Sequence, residues 1–405
     1  MNLAIFDDKP ELFYPLSMTR AVGDLRCGIL KLRQRLQALL FGEEDTVIID
    51  DDLTELYHVR HPEWLINSVK GDTLFVNSRV KVTPESLKEL KDLRQNQGLK
   101  DHSGQIIAFR KTVNQTSMLI SDLLSQSENL EMPKTSVPLY ANLADLIMDN
   151  ARLIEFDFEQ FFHDTDNYIE TEPGVTILNP YQVWIGEGTV LKPGVVIDAS
   201  HGPVVIDERA EVLSNAVIIG PVYLGKKSLI KVGAKIYGGT SIGPVCKIGG
   251  EVENTIIQAY SNKQHDGFLG HAYLGEWVNI GAGTCNSDLK NNYKPVAFYS
   301  YANKAKVQTD YQFLGAIIGD HVKTGINCSL NTGAVIGPGC NLWGKDLISD
   351  YIPAFSWGEG NKLIPYELEA FLETAQSVKQ RRNLSLSIPE IALFRKLRGK
   401  WYQER

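Results

Sequence analysis

The chain has 405 residues, of which 43% are hydrophobic and 22% charged, a composition typical of globular proteins that excludes wholesale disorder. Its 41 basic and 49 acidic side chains leave a net charge of −8, which argues against a general nucleic-acid-binding protein. No apolar stretch is long enough to span a bilayer, and residues 1–8 lack the basic and apolar segments of a secretory signal. The five cysteines form no CxxC pair, so we expect a protein of the reducing cytoplasm.

The amino-terminal region alternates between strand and helix patterns. Short aliphatic and β-branched runs predict buried strands at 3–6, 46–49 and 73–76. Apolar periodicity predicts helices at 25–40 and 139–162, and the stretch 97–104 is typical of a surface turn. Alternating strands and helices favour an α/β sheet in this region.

A six-residue repeat dominates the middle of the chain. Counting by six gives the aliphatic residues Ile206, Val212, Ile218, Leu224, Ile230, Ile236, Ile242 and Ile248. Four places after each stands a small or short residue, namely Ala210, Ala216, Val222, Ser228, Ala234, Thr240, Cys246 and Val252. Six residues make one short strand and a corner, and three such sides close one coil of a solenoid whose coils must stack to bury their apolar faces. The repeat continues more weakly at 185–197, 274–284 and 318–342.

Three cysteines fall on the small track of this repeat. Cys246, Cys328 and Cys340 hold the position that points inward beside the aliphatic residue. A free cysteine behaves as a small hydrophobic residue when it is buried. We therefore predict packing roles for these three thiols.

Two interruptions of the repeat are candidates for function, because long insertions in rigid repeats are often functional. The first, at 260–270, places His265 between Lys263 and Asp266, and the second runs from about 285 to 313. A histidine accepts a proton near neutral pH, and acyl transfer from a thioester to an amine requires such a base. On local sequence alone, an exposed loop histidine with no role in catalysis is the open alternative.

The carboxyl-terminal segment is predicted to leave the repeat after Trp343. Periodic apolar residues predict helices at 365–382 and 389–402, and Trp357 is expected to cap the last coil. Residues 379–405 carry eight basic and two acidic side chains, a net charge of +6. This basic tail predicts either a contact with an anion or a neighbouring subunit, or simply a solvated helical tail.

The stretch from His265 to Asn286 resembles a known enzyme family. Its motif consists of His265, Phe268-Leu269-Gly270, Val278 through Thr284, and Asn286. It resembles the acetyltransferase half of the bifunctional N-acetylglucosamine-1-phosphate uridyltransferase/glucosamine-1-phosphate acetyltransferase family. The resemblance implies the left-handed parallel β-helix of hexapeptide-repeat acyltransferases, acetyl-CoA as acyl donor and a homotrimer.

The same resemblance implies roles for individual residues. His265 matches the general base, Asn279 an acceptor-binding residue, and Asn286 an asparagine on the acetyl-CoA side. Lys235 stands where the family has an arginine on the sugar phosphate, and Lys263 is a further candidate for substrate binding. Lys323 lies in coils that resemble those holding acetyl-CoA, with a plain surface lysine as the alternative. Phe268 replaces a tyrosine and Glu253 replaces a lysine, so we expect an acceptor sugar that differs or binds differently.

The amino terminus resembles the opening of sugar nucleotidyltransferases. The motif combines Phe6-Asp7-Asp8 with Pro15-Leu16, Thr19-Arg20 and Leu25-Arg26, and it is similar to a divergent bacterial branch of the same bifunctional family. This resemblance implies that UTP or another nucleoside triphosphate is held by Arg20, Arg26 and Arg79, and that Asp7 or Asp8 binds Mg²⁺.

The phosphate-binding chemistry at this opening departs from the family. Residues 7–11 hold three acids and no glycine, and Asn77 stands where an aspartate is expected for metal binding. Phosphates favour glycine-rich turns whose N–H groups converge. Structural salt bridges are the open alternative for the arginines and acids named above.

These observations predict a nucleotidyltransferase-like α/β domain (1–165), a left-handed β-helix (166–352) and a helical extension (353–405). The predicted function is N-acetylation of an amino-sugar 1-phosphate by acetyl-CoA, coupled to a sugar-1-phosphate nucleotidyltransferase domain. One alternative is a nucleotidyltransferase whose β-helix mainly trimerises the enzyme. Others are a zinc enzyme of the carbonic-anhydrase type that uses His265 and His271, and a scaffold without catalysis.

Overall fold

The computed structural model describes residues 1–40, 46–115, 117–128, 130–168, 173–360 and 362–402. Within these ranges, no helix is long and apolar enough to cross a bilayer. An amino-terminal α/β layer packs against a long solenoid of short parallel strands, and two helices close the carboxyl terminus.

The amino-terminal layer is a six-stranded sheet made of β1 (Asn2–Phe6), β2 (Thr46–Ile48), β3 (Leu65–Ile66), β4 (Val69–Asn77), β5 (Gln97–Lys100) and β6 (Ile106–Gln115). The strand order is β3-β2-β1-β4-β6-β5, with β1 to β4 parallel to one another. At one edge, β6 pairs antiparallel with β4, and β5 pairs antiparallel with β6. Its helices are α1 (Leu32–Leu40), α2 (Asp51–Arg60), α3 (Pro84–Lys91), α4 (Ile120–Gln126) and α5 (Leu143–Phe161). The predicted α/β sheet is confirmed, although the predicted turn at 97–104 is wrong in its first four residues, which form β5.

The predicted helix at 25–40 is too long at its start. Gly28 has a φ of +80°, and helix α1 begins only at Leu32. A Cβ at Gly28 would lie 2.7–2.8 Å from atoms of Arg35, Asp157 and Leu153. The chain therefore needs a glycine in a left-handed turn before the helix begins.

The solenoid begins after α5. Its strands are β7 (Thr176–Leu178), β8 (Val183–Ile185), β9 (Val190–Leu191), β10 (Val196–Asp198), β11 (Val204–Ile206), β12 (Glu211–Val212), β13 (Val217–Ile219), β14 (Val222–Leu224), β15 (Leu229–Ile230), β16 (Lys235–Ile236), β17 (Thr240–Ile242), β18 (Lys247–Ile248), β19 (Glu251–Glu253), β20 (Ile256–Ile257), β21 (Asn262–Lys263), β22 (Phe268–Gly270), β23 (Tyr273–Leu274) and β24 (Cys285–Asn286). After an insertion that carries the hairpin β25 (Ala297–Ser300) and β26 (Ala305–Gln308), the strands resume. They are β27 (Ile317–Ile318), β28 (Lys323–Thr324), β29 (Ser329–Leu330), β30 (Val335–Ile336), β31 (Asn341–Trp343), β32 (Leu347–Ile348), β33 (Tyr351–Ile352), β34 (Ser356–Glu359) and β35 (Lys362–Pro365).

Three parallel faces make up the solenoid. Face 1 runs from β7 through β10, β13, β16 and β19 to β22, face 2 from β8 in steps of three to β23 and then through β27 and β30 to β33, and face 3 from β9 to β21. Asn279 bridges Asn262 of β21 and Lys323 of β28, so that face 3 continues into the later coils. The predicted parallel β-helix is confirmed, and its three-sided form is consistent with the left-handed architecture that the resemblance implies.

The register of the coils follows the predicted repeat until the first break. Ile206, Leu224 and Ile242 pair in succession along face 2, and all eight predicted aliphatic positions are buried, as are Cys246, Cys328 and Cys340. The next coil is shorter, since Ile242 pairs with Ile257. As a result, Val252 pairs with Ile236 on the aliphatic track, and its predicted place on the small track is wrong.

One core joins the amino-terminal layer, the insertion and the carboxyl terminus. This hydrophobic cluster includes Phe13 and Leu16 from the amino-terminal loops, Phe298 and Tyr301 from the insertion hairpin, and Phe371 and Phe394 from the last helices. The shared core fixes the amino-terminal loops against the solenoid at the level of the insertion.

The carboxyl terminus extends the solenoid farther than the sequence predicts. Strands β32 to β34 continue the parallel pairing beyond Trp343, so the predicted end of the repeat is too early. Trp357 packs edge-on against Trp343 with ring centroids 5.1 Å apart. The predicted helices are present as α6 (Leu368–Gln380) and α7 (Ile388–Tyr402), although Pro365 belongs to β35 rather than to the first turn of a helix.

Candidate functional site

His265 lies in the corner between β21 and β22 with its side chain exposed. Among the described residues, no hydrogen bond or ion pair reaches its imidazole, so Asp266 does not orient the ring. The main chain of this corner is held from inside the solenoid, because the Lys263 Nζ donates to the carbonyl oxygens of Gly249 at 2.8 Å and His265 at 2.9 Å. The result is a fixed corner that presents a free histidine.

Lys263 takes an aliphatic position of the repeat. It pairs with Ile248 of the coil below and is 1% exposed, and burial lowers the pKa of its ammonium to about 8. The ammonium is enclosed and donates to two carbonyl groups of the chain itself, and the substrate-binding role of Lys263 stays a prediction.

Asn279 and Lys323 line one cavity on face 3. The cavity has a volume of about 270 Å³ and also contains Gln264, the residue before His265. Lys323 Nζ donates to the Trp277 carbonyl at 2.7 Å and to the His321 carbonyl at 3.2 Å. Burial lowers the pKa of the Lys323 ammonium to about 7. The structure thus brings a predicted acceptor residue and a predicted cofactor residue together beside the His265 corner.

Lys235 lies outside this cavity. It is exposed on β16 of face 1, where its Nζ is 3.5 Å from a carboxylate oxygen of Glu251. It lines a separate shallow groove with Asn215 and Tyr237. Lys235 is accessible to an anion at this position but does not share the cavity with Asn279.

The side chain of Asn286 holds two strands of the solenoid together. It is 3% exposed, its Oδ1 accepts from the Gly270 N–H and its Nδ2 donates to the Gly270 carbonyl, both at 2.9 Å. Both ends of the amide are used to hold β24 on β22. Both polar atoms of the side chain thus contact the main chain of Gly270, and the role of Asn286 on the acetyl-CoA side stays a prediction.

A half-buried cluster at the corner after β22 was not predicted from the sequence. His271 Nδ1 lies 2.8 Å from Asp288 Oδ2, and the Phe313 ring stacks on the imidazole at a centroid distance of 5.1 Å. Glu253 brings a carboxylate oxygen within 4.8 Å of the other two groups, and desolvation raises the pKa of this carboxyl above its ordinary value. The charge reversal at Glu253 was the available signal, but its partners come from two later segments.

This cluster also bears on the zinc alternative. In the part of the chain that the structure describes, the metal-type donors gathered around His271 come from Glu253 and Asp288, and His265 is not among them. Within the described part of this chain, His265 and His271 therefore do not belong to one group of metal-type donors.

The predicted nucleotide-binding arginines are engaged with protein partners. Arg20 is 3% exposed, and its Nη2 lies 2.5 Å from Asp320 Oδ2 at a corner of the solenoid. Arg26 donates to the Ile29 carbonyl and stacks over the ring of Tyr223. These contacts match the open alternative of structural interactions, and the nucleotide-binding roles of Arg20 and Arg26 stay predictions.

Arg79 and the two aspartates form the other part of the predicted nucleotide site. Arg79 binds Asp8 through two hydrogen bonds of 2.7 Å. Asp7 is 3% exposed, accepts from the N–H groups of Val22 at 2.6 Å and Gly23 at 3.3 Å, and has its pKa raised to about 6 by burial. The two carboxylates do not fit the predicted Mg²⁺ site, because one is neutralised by an arginine and the other is enclosed by backbone donors. The same ion pair engages Arg79, and its nucleotide-binding role stays a prediction.

Comparison with known proteins covers both parts of the chain. Residues 3–165 match the family model for sugar nucleotidyl transferase. The chain is 29% identical over 220 residues to the bifunctional protein GlmU of Bartonella quintana, covering 52% of this chain and 44% of that protein. It is 31% identical over 209 residues to the bifunctional protein GlmU of Desulfitobacterium hafniense, covering 45% and 41%. These matches span less than half the length of the curated relatives.

Solved structures give weaker similarities. The polySia-specific acetyltransferase NeuO is 14% identical, with 48% of this chain and 87% of that chain covered and a TM-score of 0.26. UDP-N-acetylglucosamine acyltransferase from Campylobacter jejuni is 16% identical, with 55% and 81% covered and a TM-score of 0.23. The family model and the curated relatives confirm the resemblance predicted from the sequence, to sugar nucleotidyltransferases at the amino terminus and to bifunctional uridyltransferase/acetyltransferase proteins.

Proposed function

We propose that this chain is an acetyl-CoA-dependent N-acetyltransferase acting on an amino-sugar 1-phosphate, with His265 as general base. The observation that carries the proposal is the exposed imidazole on a corner whose main chain is fixed by the buried Lys263 ammonium. The neighbouring cavity, lined by Asn279 and Lys323, supplies polar groups next to this base. The similarity to bifunctional GlmU proteins supports the same reaction class.

The reaction assigned to this site is simple acyl transfer. The neutral amine of the sugar attacks the thioester carbonyl, the new C–N bond forms, and the C–S bond breaks to release the CoA thiol. His265 accepts the proton that the amine sheds. Rigid placement of the base on a solenoid corner reduces the reorganisation needed during the step.

We assign the amino-terminal domain, residues 1–165, to nucleotidyl transfer on the strength of its family match. Arg20 and Arg79 are held in ion pairs, so this activity requires other residues or the opening of those pairs. The remaining parts of the proposal are a β-helix that begins at about residue 166 and runs through β34, a helical extension beyond it, a homotrimer and a cytoplasmic location.

The test of the acetyltransferase measures thiol release from acetyl-CoA with a panel of amino-sugar 1-phosphates and nucleotide-linked amino sugars. His265→Ala should lower the sugar-dependent rate at least about 100-fold, the lower range for loss of a general base. His201→Ala is the matched control, because His201 is also exposed at a corner of the β-helix, and its rate should stay unchanged. No sugar-dependent signal with the unmodified protein would refute the proposal.

The family match also favours a second candidate, a nucleotidyltransferase whose β-helix mainly trimerises the protein. It is tested by pyrophosphate release from UTP and N-acetylglucosamine 1-phosphate. Pyrophosphate release without any thiol release would establish this candidate in place of the first.

A further inference from the structure

The cavity on face 3 has an unusual lining. Helix α6 ends above it, so that the solenoid forms its floor and the helix end its roof. The lining residues are Lys247, Tyr260, Asn262, Gln264, Trp277, Asn279, Lys323, Val378, Arg381 and Arg382. The set contains four basic side chains and no acidic one.

The basic groups of this cavity lack carboxylate partners. Among the described residues, Lys247, Arg381 and Arg382 form no ion pair, whereas the adjacent Lys379 is neutralised by Glu390 at 2.5 Å. Arg382 Nη2 donates to Asn262 Oδ1 at 3.3 Å, but its buried Nε finds no acceptor within the described part of the chain. A buried guanidinium nitrogen without an acceptor is costly, and an anion in the cavity would supply one.

Mutual repulsion acts on the same groups. Burial, with the charges of Arg382 and Arg381 next in importance, lowers the pKa of Lys247. Like charges held close together cost free energy unless an opposite charge is bound between them. A bound anion would therefore be stabilised by several cations at once.

Capping of the helix end explains only part of this arrangement. Arg381 and Arg382 follow the carboxyl end of α6, where basic residues interact favourably with the helix dipole. That role does not account for Lys247, which lies on β18 of the rigid solenoid and faces the same cavity.

The cavity is also distinct from the position that the resemblance implies for the sugar phosphate. That position, around Lys235 on face 1, is weakened by Glu251 at 3.5 Å from the ammonium and by Glu253 at the end of β19. The concentrated positive charge lies on face 3 instead, beside Gln264 and the His265 corner.

We infer that the cavity beneath the end of α6 binds the phosphate group of a small-molecule ligand through Lys247, Arg381 and Arg382. The inference rests on the proposed function only for the identity of the ligand. A phosphate there belongs either to the sugar-phosphate acceptor or to the nucleotide end of acetyl-CoA, since both carry the same chemistry.

The test is isothermal titration calorimetry on the full chain with inorganic pyrophosphate as probe. Lys247→Gln and Arg382→Gln should each weaken binding at least fivefold, and the two variants report independently because one is on a strand and the other at a helix end. Lys192→Gln is the matched control, since Lys192 follows β9 on face 3 outside the cavity, and its affinity should equal that of the unmodified protein.

Competition then separates the two ligand sources. Displacement of pyrophosphate by glucosamine 1-phosphate identifies the acceptor, and displacement by adenosine 3′,5′-bisphosphate identifies the cofactor. Absence of pyrophosphate binding, or binding that survives both cavity substitutions, overturns the inference even if thiol release is observed. Conversely, cavity-dependent binding in a protein without thiol release supports the inference while refuting the acetyltransferase.

Discussion

The imidazole of His271 and the carboxylate of Asp288 are joined at the base of the long insertion, with Nδ1 and Oδ2 2.8 Å apart. Asp288 begins the insertion, and its carbonyl accepts from the N–H of Leu314, where the chain returns to the solenoid. The His271 carbonyl accepts from the N–H of Gly315. Through these side-chain and main-chain contacts, His271 and Asp288 hold both the start and the end of the insertion at one corner of the β-helix.

Asp288→Ala should destabilise the protein without abolishing acetyl transfer. Loss of a half-buried hydrogen bond between potentially charged groups costs about 1.5–3 kcal/mol, which urea denaturation would measure as a lower free energy of unfolding. Asp310→Ala, an exposed position in the same insertion, should change stability by less than about 0.5 kcal/mol. A hundredfold loss of thiol release at unchanged stability would contradict this prediction and show that His271 and Asp288 take part in acetyl transfer.

Lys263→Met should change how stability depends on pH. The folded-state pKa of Lys263 is lowered to about 8, whereas an unfolded lysine titrates near about 10.4. The folded chain loses this proton first, so the contribution of Lys263 to stability increases as pH rises from about 8 to 10. The increase is at most about 3 kcal/mol, because one pKa unit corresponds to about 1.4 kcal/mol.

The measurement compares unfolding free energies of the unmodified protein and Lys263→Met at pH 7.5 and pH 10. Only the difference between the two proteins reports on Lys263, since the other titrating groups cancel. Lys263→Met should also reduce thiol release, because the His265 carbonyl loses its internal donor. Parallel pH profiles of stability would show that Lys263 is not buried as the structure indicates.

The sequence predicts the regular coils of the solenoid correctly, but it does not predict the length of the coil that leads to the His265 corner. The eight aliphatic positions from Ile206 to Ile248 recur at a fixed interval in the sequence, and stacking of the coils is enough to bury each of these side chains. The following coil is shortened, which places Val252 and Lys263 on the aliphatic track. A count in steps of six has no means of detecting such a change in coil length.

The amino-terminal residues show a different limit of sequence reasoning. Arg20 and Asp320 are 300 positions apart, and nothing local indicates that an arginine in a nucleotide-binding motif pairs with the solenoid. Asp8 and Arg79 lie on neighbouring strand ends only once β1 and β4 pair. Asn279 and Lys323 were assigned through family resemblance, and the cavity they share depends on the roof supplied by α6.

Arg20→Met should destabilise the whole chain rather than selectively weaken nucleotide binding. Removing the arginine leaves the Asp320 carboxylate buried without its cation, which typically costs about 3–5 kcal/mol. The double variant Arg20→Met with Asp320→Asn should recover part of this loss. Arg94→Met, at an exposed position of the same domain, serves as the control in thermal and urea unfolding. A variant that unfolds normally but has a raised KM for UTP would instead support the predicted nucleotide-binding role of Arg20.

Asp7→Asn should reduce the loss of folding stability that ionisation of the buried Asp7 carboxyl causes above about pH 4. Burial raises the pKa of Asp7 to about 6, so the folded chain holds this proton over a range in which the unfolded chain has lost it. The contribution of Asp7 to stability is therefore greatest below about pH 4, the ordinary value, and declines as pH rises to about 6, by at most about 3 kcal/mol. Urea denaturation at pH 4.5 and pH 7.5 should show a smaller decline for Asp7→Asn than for the unmodified protein, because an asparagine cannot ionise yet still offers an oxygen to the Val22 N–H. An equal decline in both proteins would mean that Asp7 is already solvated, and the carboxylate would again be available to a metal ion.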